Sequence, residues 1–116
     1  MIEFLTLMVL LITGHYLADF WMQSKDVARM KNRNCIPENI PPGQKLQIVW
    51  PHALTSHAVA QGFCVGLVTM SIPLGIAEAI AHGTIDFGKC ENWYGIHLDQ
   101  FLHFLCKLAW AGVLLA

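Results

Sequence analysis

A chain of 116 residues fits one domain and leaves no room for a second. Charged residues make up 13% and mean hydropathy is +0.49, so the chain either buries nearly all of itself or sits in lipid. A formal net charge of -1 supplies no global basic field, which excludes nucleic acid as a partner.

The first apolar segment, Ile2 to Met22, carries Glu3 near its start and no basic residue. About 20 such residues suffice for a helix to cross the hydrocarbon of a bilayer. A cleavable signal peptide would need a basic region ahead of its apolar run, and none is present, so a retained span is expected. The stretch from Gln23 to Gln47 is polar, and "NCIPENIPPGQK" breaks any helix there. A second helix is predicted over Ile48 to Met70, with Pro51 suited to its first turn. Gly62 and Gly66 lie four apart on it, a spacing that lets helices approach closely. Ser71-Ile72-Pro73 forms a tight break. Pro73 to Phe87 is the third helix and Leu98 to Ala116 the fourth, separated by the polar "GKCENWYG". Ile48 to Gly88 is too long for a single crossing. The fold expected is all-α, an integral-membrane up-down four-helix bundle occupying the whole chain.

Loop charge gives an orientation. Lys25, Arg29, Lys31, Arg33 and Lys45 outnumber Asp26 and Glu38 in the long loop, and Lys89 adds to the last one. The positive-inside rule makes both loops cytoplasmic and both termini external. Trp21, Trp50 and Trp93 then form a belt at the cytoplasmic interface, with Trp110 near the outer leaflet, and His97 reads as interfacial. Cys35, Cys64, Cys90 and Cys106 show no CxxC spacing and read as reduced thiols; a Cys35–Cys90 disulfide stays open if both loops lie on one side.

The apolar helices carry costly polar residues in a repeated pattern. His15/Asp19, His82/Asp86 and Asp99/His103 are each four residues apart. With six His and four Asp in the chain, chance would give about 0.4 such pairs. The spacing puts both members on one helix face. Imidazole and carboxylate on one face are ordinary ligands for zinc, iron, manganese or nickel. In an up-down bundle all these sets, with His52 and His57 at the start of helix two, fall at the cytoplasmic end. His15, His57, His82 and His103 would form an inner layer; Asp19, His52, Asp86 and Asp99 an outer one. Four helices would converge on one or two divalent metal ions, as in carboxylate-bridged dimetal bundles. His52 and His57 are five apart, about 140° around a regular helix, so either the first turn is irregular or only one is a ligand. Deeper still, Glu78 and Lys107 should meet in an ion pair, or Glu78 is a functional acid. Gln61 could join that layer.

The order "GHYLADFWMQ", "HALTSH", "HGTIDFGK" and "LDQFLHF" resembles the domain of unknown function 3307 family, small bacterial and phage membrane proteins, over nearly the whole chain. The resemblance implies that His15, Asp19, His82, Asp86, Asp99 and His103 occupy motif positions, with Gln23 and Gln100 beside them. It implies a multi-pass protein of the bacterial plasma membrane but no established activity. A weaker likeness, to membrane-bound metal-dependent hydrolases, rests on the His/Asp pairs alone.

Two classes of function follow. One is a metal-dependent hydrolase at the cytoplasmic membrane face, cleaving a lipid or lipid-linked ester or phosphoester, with Asp99 or Glu78 as general base. The other is non-enzymatic: metal or proton transport, or a structural or host-interaction role in which the polar network fixes helix register. No nucleophile elbow, Gly-rich phosphate loop or HExxH motif is present. Self-association into a homo-oligomer would suit so small a bundle.

Overall fold

The computed structural model describes residues 1–36 and 40–116. Pro37, Glu38 and Asn39, which the sequence reading counts in the long loop, lie outside the described residues. Five helices appear and, among the described residues, no strand: α1 (Ile2–Tyr16), α2 (Lys25–Met30), α3 (Trp50–Thr69), α4 (Ile72–Cys90) and α5 (Ile96–Leu115). Together with the turn that follows it, α1 forms one of two stretches long and apolar enough to cross a bilayer, Ile2–Trp21; the other is α5.

Local chemistry explains most boundaries. The end of α1 widens into a π-helical turn, Leu17–Trp21, closed by Met22 N–H donating to Leu17 O at 2.8 Å. Such turns are frequent at functional sites, and this one carries Asp19. The short α2 was not expected. Ser24 caps it, its hydroxyl accepting from Val27 N–H at 3.1 Å. α3 begins with proline in its first turn and ends at Met70, which adopts a left-handed φ of 52°. That residue and Ser71, the cap of α4, make the whole reversal, so Pro73 opens a new helix rather than kinking one long one. α4 runs past the expected Phe87 to Cys90 because nothing breaks it before Asn92, whose φ of 59° turns the chain. All four cysteines are free.

α3 lies tightest on α4 and also touches α1; α5 packs on α4 and α1. The contact between α3 and α4 depends on missing side chains. A Cβ on Gly75 would sit 2.7 Å from Gly62 O and 3.2 Å from Gly66 Cα, and one on Gly62 would strike Gly75 O. The Gly62/Gly66 spacing therefore meets a third glycine across the interface.

The distribution of polarity is inverted. The buried apolar residues are few and mostly small: Leu7, Leu11, Ala18, Ala53, Ala58, Val65, Cys90 and Ala111. Among the fully buried large side chains are Lys107, His15, His82, His103, Gln61 and Glu78. Meanwhile Val9, Phe63, Leu67, Ile76, Ile80, Phe101 and Val113 face outward, each more than half exposed.

Candidate metal centre

Seven of the eight expected ligands converge: His15 and Asp19 from α1 and its π-turn, His57 from α3, His82 and Asp86 from α4, Asp99 and His103 from α5, all buried. His52 does not join them. It is exposed on the first turn of α3, which is regular, so five residues of rotation carry it away from the face that His57 presents. The outer layer thus loses one histidine, and a cation takes the vacant side: Lys31, from the residue after α2, is 6% exposed and donates to Asp86 Oδ2 at 2.6 Å. Nothing in the sequence separates Lys31 from the other basic residues of its loop.

The tightest group is Asp19, His57, His82 and Asp86. His57 Nε2 lies 2.9 Å from Asp19 Oδ1, 3.2 Å from His82 Nε2 and 3.5 Å from Asp86 Oδ2. His82 Nε2 lies 3.5 Å from both Asp19 Oδ1 and Asp86 Oδ2. A tetrahedral site with bonds near 2.0–2.1 Å has edges of about 3.3 Å, so five of its six edges are matched. Hydrogen bonding alone serves this arrangement badly. Each Nε2 carries at most one proton, and three partners surround that of His57. The donor set therefore fits a divalent ion bound by two imidazoles and two carboxylates.

The second group comprises Asp19, Asp99 and His103, with His15 and His82 near. His103 Nε2 sits 3.4 Å from Asp86 Oδ1 and 3.5 Å from Asp99 Oδ1. Asp99 Oδ1 and both ring nitrogens of His103 are buried without a hydrogen-bond partner. Gln100 organises the rim. Its amide N–H group donates to Asp19 Oδ2 at 2.9 Å and to Asp99 Oδ2 at 3.0 Å. Its oxygen accordingly faces His15 Nε2 at 3.0 Å, so that nitrogen must carry the proton. His15 thereby holds Gln100 rather than offering its Nε2 lone pair. Gln61 reaches the same layer, donating to His15 O at 3.3 Å and Asp19 Oδ1 at 3.4 Å. Gln23 stays outside it, bonding the Asp19 backbone oxygen at 3.2 Å.

Below the histidines lies the expected ion pair. Lys107 Nζ donates to Glu78 Oε1 at 2.5 Å, and Trp110 Nε1 donates to Oε2 at 2.6 Å. The role of Trp110 was not legible in the sequence, where it reads as a lipid-facing aromatic. His82 Nδ1 faces Glu78 Oε1 at 3.5 Å. A carboxylate behind an imidazole favours the tautomer whose far nitrogen is free to ligate. With both oxygens occupied, Glu78 is poorly placed to act as a base.

Above the site, the segment after α2 straps onto α4. Besides Lys31 on Asp86, Arg33 pairs with Glu91 and lies 5.2 Å over the Phe87 ring, and Asn34 donates to Cys90 O at 3.0 Å. Arg33 holds the partly buried Glu91 carboxyl below its ordinary range.

Fold and site together define a class: small all-helical proteins whose apolar helices enclose His/Asp groups able to hold a metal. Residues 7–115 match the family described as Protein of unknown function (DUF3307), and the chain belongs to it. No curated protein and no solved structure matches.

Proposed function

We propose that the chain is an integral-membrane four-helix bundle that binds divalent metal and acts as a metal-dependent hydrolase on a lipid or lipid-linked phosphoester or ester at the cytoplasmic face. The observation that carries this reading is the Asp19/His57/His82/Asp86 group, enclosed by helices whose outer faces are apolar. In water such a surface would be a liability. In lipid it is the required one, and ionisable residues turned inward are then functional by default. Trp21 and Trp93, both largely exposed at the site end, support an interface there. The contribution of His15 and Asp19 to the centre supports α1 as a retained span.

A divalent ion in this group supplies a Lewis acid and acidifies water at neutral pH. The chain's own residues do the rest. Gln100 fixes the carboxylates of Asp19 and Asp99. Lys31 partly neutralises Asp86 and closes the site on the loop side. Of the two carboxylates expected as base, Glu78 is engaged by Lys107 and Trp110, whereas Asp99 Oδ1 makes no hydrogen bond beside His103 and is open to act as base or as ligand.

The closure of the site favours a second, non-enzymatic reading, in which the metal locks the bundle or is itself the cargo. His82 and His103 are 0% exposed, so substrate must displace the α2 strap to enter. Elemental analysis of detergent-purified protein never exposed to chelator, compared with His57→Ala and Asp86→Asn, tests the metal. A transition metal in the wild type, lost in both variants, is expected; none in the wild type after reconstitution would overturn it. Release of headgroup or phosphate from mixed lipid micelles by the loaded protein separates the two readings: turnover supports hydrolysis, and a loaded but inert protein supports the second.

A further inference from the structure

The two clusters are not separate. Asp86 turns Oδ2 toward His57 and His82 and Oδ1 toward His103. Asp19 does likewise: Oδ1 faces His57 and His82, and Oδ2 faces Gln100 and, at 3.6 Å, His15. Each carboxylate spans the boundary between the Asp19/His57/His82/Asp86 group and the one containing Asp99 and His103. On the far side of that boundary, Asp99 Oδ1 and His103 Nε2 are buried, side chains 1% and 0% exposed, and make no hydrogen bond. Buried polar atoms without a partner are rare because each costs desolvation with nothing in return. Here two lie 3.5 Å apart, the separation of neighbouring ligands on one ion.

We propose that the centre is dinuclear: one cation in the Asp19/His57/His82/Asp86 group, a second held by Asp99 Oδ1, His103 Nε2 and the outer oxygens of Asp19 and Asp86, which bridge the pair. His15 and Gln100 hold the second site's carboxylates in place rather than ligate. The inference rests on the metal-binding reading above and deepens it. Carboxylate bridges hold two ions roughly 3.5–4 Å apart, the span that clamps the attacking and leaving oxygens of a phosphoryl group. Charge points the same way. Three carboxylates and Lys31 leave a formal charge of two negative at the site. Two divalent ions reverse it to two positive, so the loaded centre calls for an anionic ligand. A phosphoester meets that requirement and a neutral carboxylic ester does not.

The test uses the full chain in detergent, stripped and reloaded with Mn(II), read by elemental analysis and electron paramagnetic resonance. Wild type should hold two manganese per chain with the spectrum of an exchange-coupled pair. Asp99→Asn and His103→Gln should each retain one, with the spectrum of isolated Mn(II). Inorganic phosphate should perturb the coupled spectrum. One equivalent in the wild type, with an isolated-ion spectrum, would overturn the dinuclear centre and leave the single-metal reading standing. No bound manganese, nor any other divalent ion, would remove both. A coupled pair indifferent to phosphate would overturn the substrate class. Because the wild-type stoichiometry decides the matter, a variant that fails to fold does not rescue the proposal.

Discussion

Replacing Lys107 by methionine keeps the volume of a fully buried side chain and removes the ammonium paired with Glu78. At 2.5 Å, and an effective dielectric constant of about 20, the lost attraction is roughly 7 kcal/mol before desolvation is offset. The cost observed should be smaller, because a stranded carboxylate takes up a proton instead. Neutralising a carboxyl of ordinary pKa near 4.3 costs about 4 kcal/mol at pH 7 and about 1 kcal/mol at pH 5. Trp110 still donates to Glu78 Oε2 and trims both figures. Lys107→Met should therefore destabilise the protein by about 3–4 kcal/mol at pH 7, with a deficit that shrinks as pH falls. Glu78→Gln/Lys107→Met should recover most of the loss, since it removes both charges and keeps an acceptor for Trp110. Reversible unfolding in mixed micelles, followed by circular dichroism at both pH values, measures this. A deficit independent of pH, or a double variant no better than the single one, would refute the reasoning.

Other outcomes follow from the same structure. Gly75→Val should cost about 1–3 kcal/mol, because its Cβ meets backbone of α3 rather than a movable side chain; Gly112→Ala, with nothing within 4 Å, should be neutral or better in the same assay. Lys31→Met should let a chelator strip the bound metal several-fold faster, by freeing the α2 strap from Asp86; an unchanged rate means that Lys31 is not the cover. The Glu91 carboxyl should titrate below the usual glutamate range by NMR and return toward it in Arg33→Ala. A lowered pKa means that this pair's small contribution is present above the ordinary value and is lost as pH falls through the lowered one. The proposed orientation puts the long loop in the cytoplasm, so a membrane-impermeant maleimide should label the exposed Cys35 only after cells are opened; labelling of intact cells would overturn that orientation.

Helix content and the convergence of seven site residues were legible because they rest on periodicity. A four-residue spacing puts His and Asp on one face whatever the neighbours are, and lipid makes every such residue expensive. The Glu78–Lys107 pair was legible for the same reason, each lying one turn beyond a histidine. What escaped were the particular contacts between distant segments that carry no spacing of their own. Lys31 reaches Asp86 across 55 positions, and its loop offers several equivalent cations. His52 was included because the sequence reports which residues are near the helix start, and a regular first turn then rotates it outward. The π-turn at Leu17–Trp21 has no residue signature, and the Asp19 it carries meets both α3 and α5. Trp110 looks like any lipid-facing aromatic until its indole finds Glu78.

The most direct test of the metal centre is X-ray absorption at the edge of the metal that co-purifies with the untreated protein. The expected spectrum shows nitrogen and oxygen neighbours at about 2.0–2.1 Å, with the outer-shell scattering of imidazole rings. A sulfur shell near 2.3 Å would assign the metal to the cysteines, which lie outside both groups. Either that shell, or no metal edge at all, would contradict a His/Asp metal centre.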